Sequence, residues 1–255
     1  MSSQPYKLLD LFSGIGGFSL GLERSGAFET VAFCEIEPFP RKVLAKHWPR
    51  VPCYHDIRTL TAARLAADGI AVDAICGGFP CQDISTAGQG RGLDGARSGL
   101  WFEYARLIGE LRPKYVIVEN VAALLSNGIG RVLGDLSEVG YDAEWEVISA
   151  SNIGAPHNRD RVWIVAYPAG ERRPEVALQN IARNGSFADA RWSSINAGPL
   201  VGACSWEDWE DQSGVRLIID GVPTGAHRCK SLGNAVVPQI PELIGRAIAA
   251  AEVAA

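Results

Sequence analysis

Between residues 7 and 166, short apolar and β-branched runs recur at regular intervals, and longer stretches of helical periodicity separate them. Parallel strands need a crossover connection, and a helix supplies it while burying a face of the sheet. A chain that alternates in this way therefore folds as α/β, with a mainly parallel sheet covered by helices. Strands are predicted at 7–11, 30–34, 72–76, 115–118, 144–149 and 161–166, with helices between them at 99–111 and 130–139. The alternation stops after Pro168, and the next sixty or so residues are rich in Gly, Ser, Asn, Pro and Trp without a clear period. Order resumes at GNAVVPQIPELIGRAIAAAE, where Pro238 and Pro241 sit near the start of a helix with Ile240, Leu243, Ile244, Ala247 and Ile248 on one face. Three units are expected: a main domain over 1–167, a small irregular module over 168–228, and a segment over 229–255 whose helix packs back onto the main domain.

With 255 residues, 47% of them hydrophobic, the chain can bury one large core. No apolar run reaches the roughly 18 to 20 residues that span a bilayer, and MSSQPYKLLDLF lacks the features of a signal peptide, so a cytoplasmic location is expected. The six cysteines include no C-x-x-C pair, which argues against a zinc site or a disulfide framework and for free thiols. A net charge of −5 taken alone favours a small-molecule enzyme over a nucleic-acid binder, although the later part of the chain is less acidic than the first 156 residues.

Four motifs carry chemistry. In LLDLFSGIGGFSLGLERSG a strand runs into Gly14, Gly16 and Gly17 and then a helix, as in nucleotide-binding strand–loop–helix units. The glycine spacing is neither a dinucleotide fingerprint nor a phosphate loop, which disfavours a nicotinamide or flavin oxidoreductase. About twenty residues on, Glu35 ends the second strand, where a carboxylate can accept from both hydroxyls of a ribose. Asp56, in HDIRTL, is either an acceptor for an exocyclic amine or a solvated carboxylate.

In VDAICGGFPCQDIS a buried strand ends just before Cys81. Cys34 and Cys76 lie inside strands as inert core thiols, but Cys81 follows a proline beyond the strand end and is expected to be rigidly placed and partly exposed. YVIVENVAAL delivers Glu119 to the end of another strand, either as a reactive group or as a cap for a neighbouring helix. APHNRDRVWIVA puts Arg159 and Arg161 on one side of a strand, where two guanidinium groups can form an anion- or carbonyl-binding site.

In order and spacing, DLFSGIGGFSLG, CEIEPF, HDI, GGFPCQDIS, IVENV, PHNRDRVWIVA and LGNAVVP together resemble the DNA cytosine-5 methyltransferases, and the C-terminal part is similar to a compact subgroup met in phages and prophages. The resemblance implies a Rossmann-like sheet that binds S-adenosylmethionine, and double-stranded DNA as partner. It implies cofactor contacts at Phe12, Gly14, Gly16, Gly17, Glu35, Ile36, Asp56, Ile57, Gly78, Pro80, Leu100, Asn234 and Val236. Cys81 matches the nucleophile that adds to carbon 6 of the cytosine, Glu119 the group that binds and protonates N3, and Arg161, with Arg159 beside it, the group that contacts O2. Gln82 and Ser85 are implied DNA contacts. Ile36 stands where many members have a tryptophan against adenine, and His157 replaces the usual glutamine. A cognate restriction endonuclease and a monomeric state are further expectations, and no metal is called for. A transfer-RNA cytosine methyltransferase shares this motif set and remains an alternative, as does a DNA-binding module with a decayed active site.

Two segments carry further expectations. The glycine-rich stretch 82–99 after the nucleophile is predicted to be a mobile lid. Arg172, Arg173, Arg183 and Arg191, accompanied by Asn180, Asn184 and Trp192, mark 168–228 as the place where DNA sequence is read, because arginine and asparagine match guanine and adenine edges in the major groove.

Overall fold

The computed structural model describes residues 4–80, 99–155, 158–170, 176, 178–184 and 233–254. Residues 82–98 of the predicted lid, Cys81 and most of the predicted recognition module lie outside the described residues.

One seven-stranded sheet organises the chain, formed by β1 (Tyr6–Leu11), β2 (Phe28–Cys34), β3 (Cys53–Tyr54), β4 (Ala74–Gly77), β5 (Tyr115–Val121), β6 (Tyr141–Ser149) and β7 (Asp160–Pro168), in the spatial order β3-β2-β1-β4-β5-β7-β6. The central strands β1 and β4 are covered on both faces, and Leu8, Leu9, Leu11, Ile75 and Cys76 are completely buried. The helices are α1 (Gly17–Arg24), α2 (Pro38–His47), α3 (Ala62–Ala67), α4 (Leu100–Leu111), α5 (Leu124–Asn127), α6 (Ile129–Glu138), α7 (Leu178–Asn184) and α8 (Gln239–Ala254). Leu65 of α3, Trp101, Tyr104 and Ile108 of α4, and Val132 and Leu136 of α6 build the core on one side of the sheet. Phe18 and Leu22 of α1, Leu178 and Ile181 of α7, and the stripe Ile240, Leu243, Ile244, Ala247, Ile248 of α8 build it on the other. The last helix thus presents the expected face to the main domain.

Alpha-1 and α8 approach closely because both are glycine-bearing at the contact. A Cβ on Gly21 would lie 2.1 Å from the carbonyl oxygen of Pro238, and one on Gly245 would lie 2.5 Å from Ser25 Oγ.

Three features add detail to the mainly parallel sheet expected from the sequence. Strands β1 to β5 pair in parallel, but β7 runs antiparallel to both β5 and β6, so the sheet is mixed. A two-residue strand, β3, continues the sheet beyond β2 and is too short to carry a hydrophobic pattern. Beyond Pro168, Val176, Leu178 and Ile181 are also buried in the main core.

Candidate active site

The chain moves outward from β1 in one direction through β2 to β3, then returns to add β4 and β5 on the other side. The switch point of such a sheet, at the carboxyl ends of β1 and β4, is where α/β folds open a crevice. Here that crevice is a cleft of about 310 Å³ between the glycine loop after β1, the ends of β2, β4 and β5, the start of β7 and the segment Asn234–Val236.

Immediately after β1 the backbone turns through left-handed conformations at Phe12 (φ 52°), Gly14 (φ 53°) and Gly16 (φ 87°). Such φ values cost little for glycine and more for phenylalanine, and strain of this kind persists where surrounding structure over-determines it. Ser13 Oγ closes the turn by donating to the carbonyl of Asp10 at 2.6 Å. Gly16 then caps α1, and Gly17 is fixed by the returning C-terminal segment, since a Cβ there would lie 2.6 Å from the Val236 carbonyl oxygen.

Opposite the loop, Glu35 follows β2 and is 8% exposed. Its Oε2 accepts from the Gly14 N–H and its Oε1 from the Glu37 N–H, both at 2.7 Å. Each carboxylate oxygen therefore keeps lone pairs for a partner in the cleft. Ile36, 49% exposed, lies beside it with Phe39 and Pro40 as apolar wall.

The far end of the cleft is ionic. Arg161 Nε donates to Glu119 Oε1 at 2.8 Å, and the two side chains are only 19% and 12% exposed. The antiparallel direction of β7 makes this possible: Arg161 lies opposite Val121, so the start of β7 meets the end of β5. Burial pushes the Glu119 carboxyl above its usual range, while the Arg161 and Arg159 guanidiniums pull it back. Arg159, half-buried, donates from Nη2 to the Ala235 carbonyl at 3.0 Å; burial and the neighbouring Arg161 charge hold it below the ordinary arginine value. Arg159 thus ties the C-terminal segment to the site. Gly78 completes the wall, because a Cβ on it would lie 2.7 Å from Glu119 Oε2.

The cleft gathers most of the residues singled out in the sequence: Phe12, Gly14, Gly17, Glu35, Ile36, Gly78, Pro80, Asn234 and Val236, together with Glu119, Arg159 and Arg161. Four others lie outside its lining. Gly16 shapes the turn from beneath, Ile57 is a 4% exposed core residue, Leu100 packs against the core at the start of α4, and the Asp56 carboxylate is held by Arg58 at 2.6 Å. That contact keeps Asp56 below the usual carboxylate range. Arg183 is exposed on α7, whereas Cys81, Gln82, Ser85, Arg172, Arg173 and Arg191 lie outside the described residues. Pro80, which lines the cleft, is the residue directly before Cys81 in the chain.

Sequence reasoning gave no role to Asn120. It is 2% exposed and donates from Nδ2 to the Phe79 carbonyl at 3.1 Å, joining the end of β5 to the turn that leads to Cys81. Its place directly after Glu119 at a strand end is the one signal that points to it.

Chemically, the cleft offers carboxylate and backbone acceptors at one end, an apolar wall beside them, and a carboxyl–guanidinium pair at the other. Among the described residues no group of three His, Cys, Asp or Glu side chains is placed to hold a metal ion, and no helix is long and apolar enough to cross a membrane.

Residues 6–189 match the model of the C-5 cytosine-specific DNA methylases. Type II methyltransferase M2.BsuMI of Bacillus subtilis is 38% identical over 168 residues, covering 63% of this chain and 41% of that protein. Type II methyltransferase M1.ScrFI of Lactococcus lactis is 37% identical over 166 residues, covering 64% and 41%. This chain thus spans about two fifths of the length of those relatives. A solved structure of a methyltransferase assigned to DNA modification and encoded within an E. coli prophage superposes with a TM-score of 0.57 at 28% identity, covering 67% of this chain and 49% of that one. DNMT2 of Spodoptera frugiperda, at 23% identity and a TM-score of 0.56, shares the fold.

Proposed function

The chain belongs to the family of C-5 cytosine-specific DNA methylases, and on that premise we propose that it transfers a methyl group from S-adenosylmethionine to carbon 5 of a cytosine extruded from double-stranded DNA. The observation that carries this reading is the union, in one cleft, of the Glu35 carboxylate beside the glycine loop with the buried Glu119–Arg161 pair.

The residues fit the cofactor. Gly14 faces open space, with nothing within 4 Å of where its Cβ would be, and Glu35 beside it keeps acceptor capacity for a ribose diol. Phe12, Ile36 and Phe39 supply apolar contact for the adenine. When bound, S-adenosylmethionine supplies an electrophilic methyl group on a sulfonium.

The rest of the chemistry falls to the protein. Carbon 5 of cytosine is a weak nucleophile until a group adds at carbon 6, and a thiolate suits that addition. Cys81 forms the S–C6 bond, and electron density moves toward N3 and O2. Glu119, raised by burial, donates a proton at N3, and Arg161 stabilises the charge developing at O2. Once carbon 5 carries the methyl group, loss of its proton and cleavage of the S–C6 bond regenerate the ring and the thiolate. A stacked base cannot meet these groups together, so the cytosine leaves the duplex. Specificity is assigned to the segment over 168–228, with Arg172, Arg173, Arg183 and Arg191 as the side chains that meet the DNA. We read the protein as a cytoplasmic monomer paired with a restriction endonuclease of the same target; the relatives carry the designation Type II.

The test compares wild type and Cys81→Ser for tritium transfer to duplex DNA and to transfer RNA, together with calorimetric binding of S-adenosylhomocysteine. Methylation of DNA is expected to vanish in the variant while ligand binding persists. Near-wild-type transfer by Cys81→Ser, or transfer to RNA alone, overturns the reading.

A further inference from the structure

Three backbone carbonyls at the outer end of the sheet converge on one side chain. Arg41, the fourth residue of α2, donates from Nη1 to the carbonyls of Glu35 and Tyr54, both at 3.0 Å, and from Nη2 to the carbonyl of Cys53 at 3.2 Å. The Tyr54 carbonyl also accepts from the N–H of Glu35 at 3.0 Å. A closed ring results: Glu35 N–H to Tyr54 carbonyl, Tyr54 carbonyl to guanidinium, guanidinium to Glu35 carbonyl. Both peptide groups flanking the Glu35 Cα are thereby fixed.

We infer that Arg41 is the positioning residue for Glu35 and thus sets how well the cleft grips a ribose diol, an inference that rests on the reading of the cleft as the cofactor site. The physical need is specific. The ladders of β2 to β1 and to the two residues of β3 both end at Cys34, so Glu35 leaves the sheet where regular pairing ends. Its carboxylate is held by single N–H groups, Gly14 on one oxygen and Glu37 on the other, and neither constrains the Cα. A planar guanidinium with five fixed donors can bridge three carbonyls at once, and an ammonium on a flexible stem cannot reproduce that geometry. The arrangement is local in sequence, because the turn after β2 returns Arg41 through α2 to the carbonyl from which the turn began. Arg41 has no place in the cleft lining, so its effect on a ligand runs through Glu35.

The test uses isothermal titration calorimetry of the full chain with S-adenosylhomocysteine and with its 2′-deoxyribose analogue. Wild type is expected to prefer the ribose form. Arg41→Met should weaken the ribose form about tenfold, as loss of aligned charge-assisted hydrogen bonds does, and should move the preference toward unity; Arg41→Lys should recover little of it. If Arg41→Met proves unfolded, the same shift is required of Arg41→Lys. Equal weakening of both ligands, or an unchanged preference, overturns the inference and leaves Arg41 with a merely structural role. Glu35→Gln separates the two layers. If it abolishes the preference while the Arg41 variants do not, the positioning role fails and the cofactor cleft stands. If Glu35→Gln leaves the preference intact, the cofactor reading of the cleft fails.

Discussion

Replacing Arg161 by methionine leaves the Glu119 carboxylate in a buried site without its contacting cation. The pair is formed at 2.8 Å by side chains 19% and 12% exposed, so solvent screening is small. Removing one partner of a buried pair costs about 3–5 kcal/mol so long as the other stays charged. Glu119 can avoid that cost by binding a proton, and the loss therefore depends on pH. Burial already raises this carboxyl, and losing Arg161 removes the larger of the two charges that pull it down. With a folded-state pKa above the unfolded value, the native state holds a proton that the unfolded chain has released, and stability falls as pH rises between the two values. Arg161→Met should consequently be mildly destabilised at pH 5 and lose about 3 kcal/mol or more at pH 8. Adding Glu119→Gln removes the titrating group; the double variant should be more stable at pH 8 than Arg161→Met and show no extra pH dependence. Urea unfolding at 25 °C across pH 5–8 for the four proteins of this cycle measures the coupling. A loss that is equal at pH 5 and pH 8, or a double variant no more stable than the single one, refutes the reasoning.

Asp10 is fully buried and accepts from Ser19 Oγ at 2.7 Å, and burial pushes its carboxyl up to about 7. Its stabilising protonated form is held below the unfolded value and lost as pH rises through about 7, a span worth about 4 kcal/mol at 1.36 per unit; Asp10→Asn should flatten the stability–pH profile and exceed wild type at pH 8, and parallel profiles would refute this. Gly21→Ala drives a Cβ to 2.1 Å from the Pro238 carbonyl and should cost about 1–3 kcal/mol, seen as faster hydrogen exchange in α8. Gly134→Ala on α6, where a Cβ meets nothing within 4 Å, should instead be neutral or stabilising by up to about 1 kcal/mol. Alanine at Arg172, Arg173, Arg183 and Arg191 in turn, assayed across a library of sites at fixed salt, should relax preference at one base position by about 1–3 kcal/mol where the residue reads a base; unchanged preference in all four would move recognition elsewhere.

Much of this molecule is legible in the sequence because the signals are local. Apolar periodicity marks the six longer strands and the buried face of α8, since a side chain's direction in a strand or helix follows from its position in the chain. The glycine loop after β1 and Glu35 after β2 are likewise local, each set by the point where a strand stops.

Only the tertiary structure decided the rest. An alternation such as DRVWIVAYP reads the same in either strand direction, so the reversal of β7 is fixed by its ladders to β5 and β6, and with it the meeting of Arg161 and Glu119. The two residues of β3 and the two contacts of α7, Leu178 and Ile181, are too few to show a period and are ordered by their neighbours. Asp56 shows the converse, a carboxylate in a promising motif with a guanidinium partner only two residues away. Asn120 and Arg41 act on carbonyls 41 residues away in one case and up to 13 in the other, and backbone groups look identical in every sequence. Side-chain character is written in the chain, but the partner of a backbone carbonyl, the direction of an edge strand and the burial of a charge are properties of the assembled core.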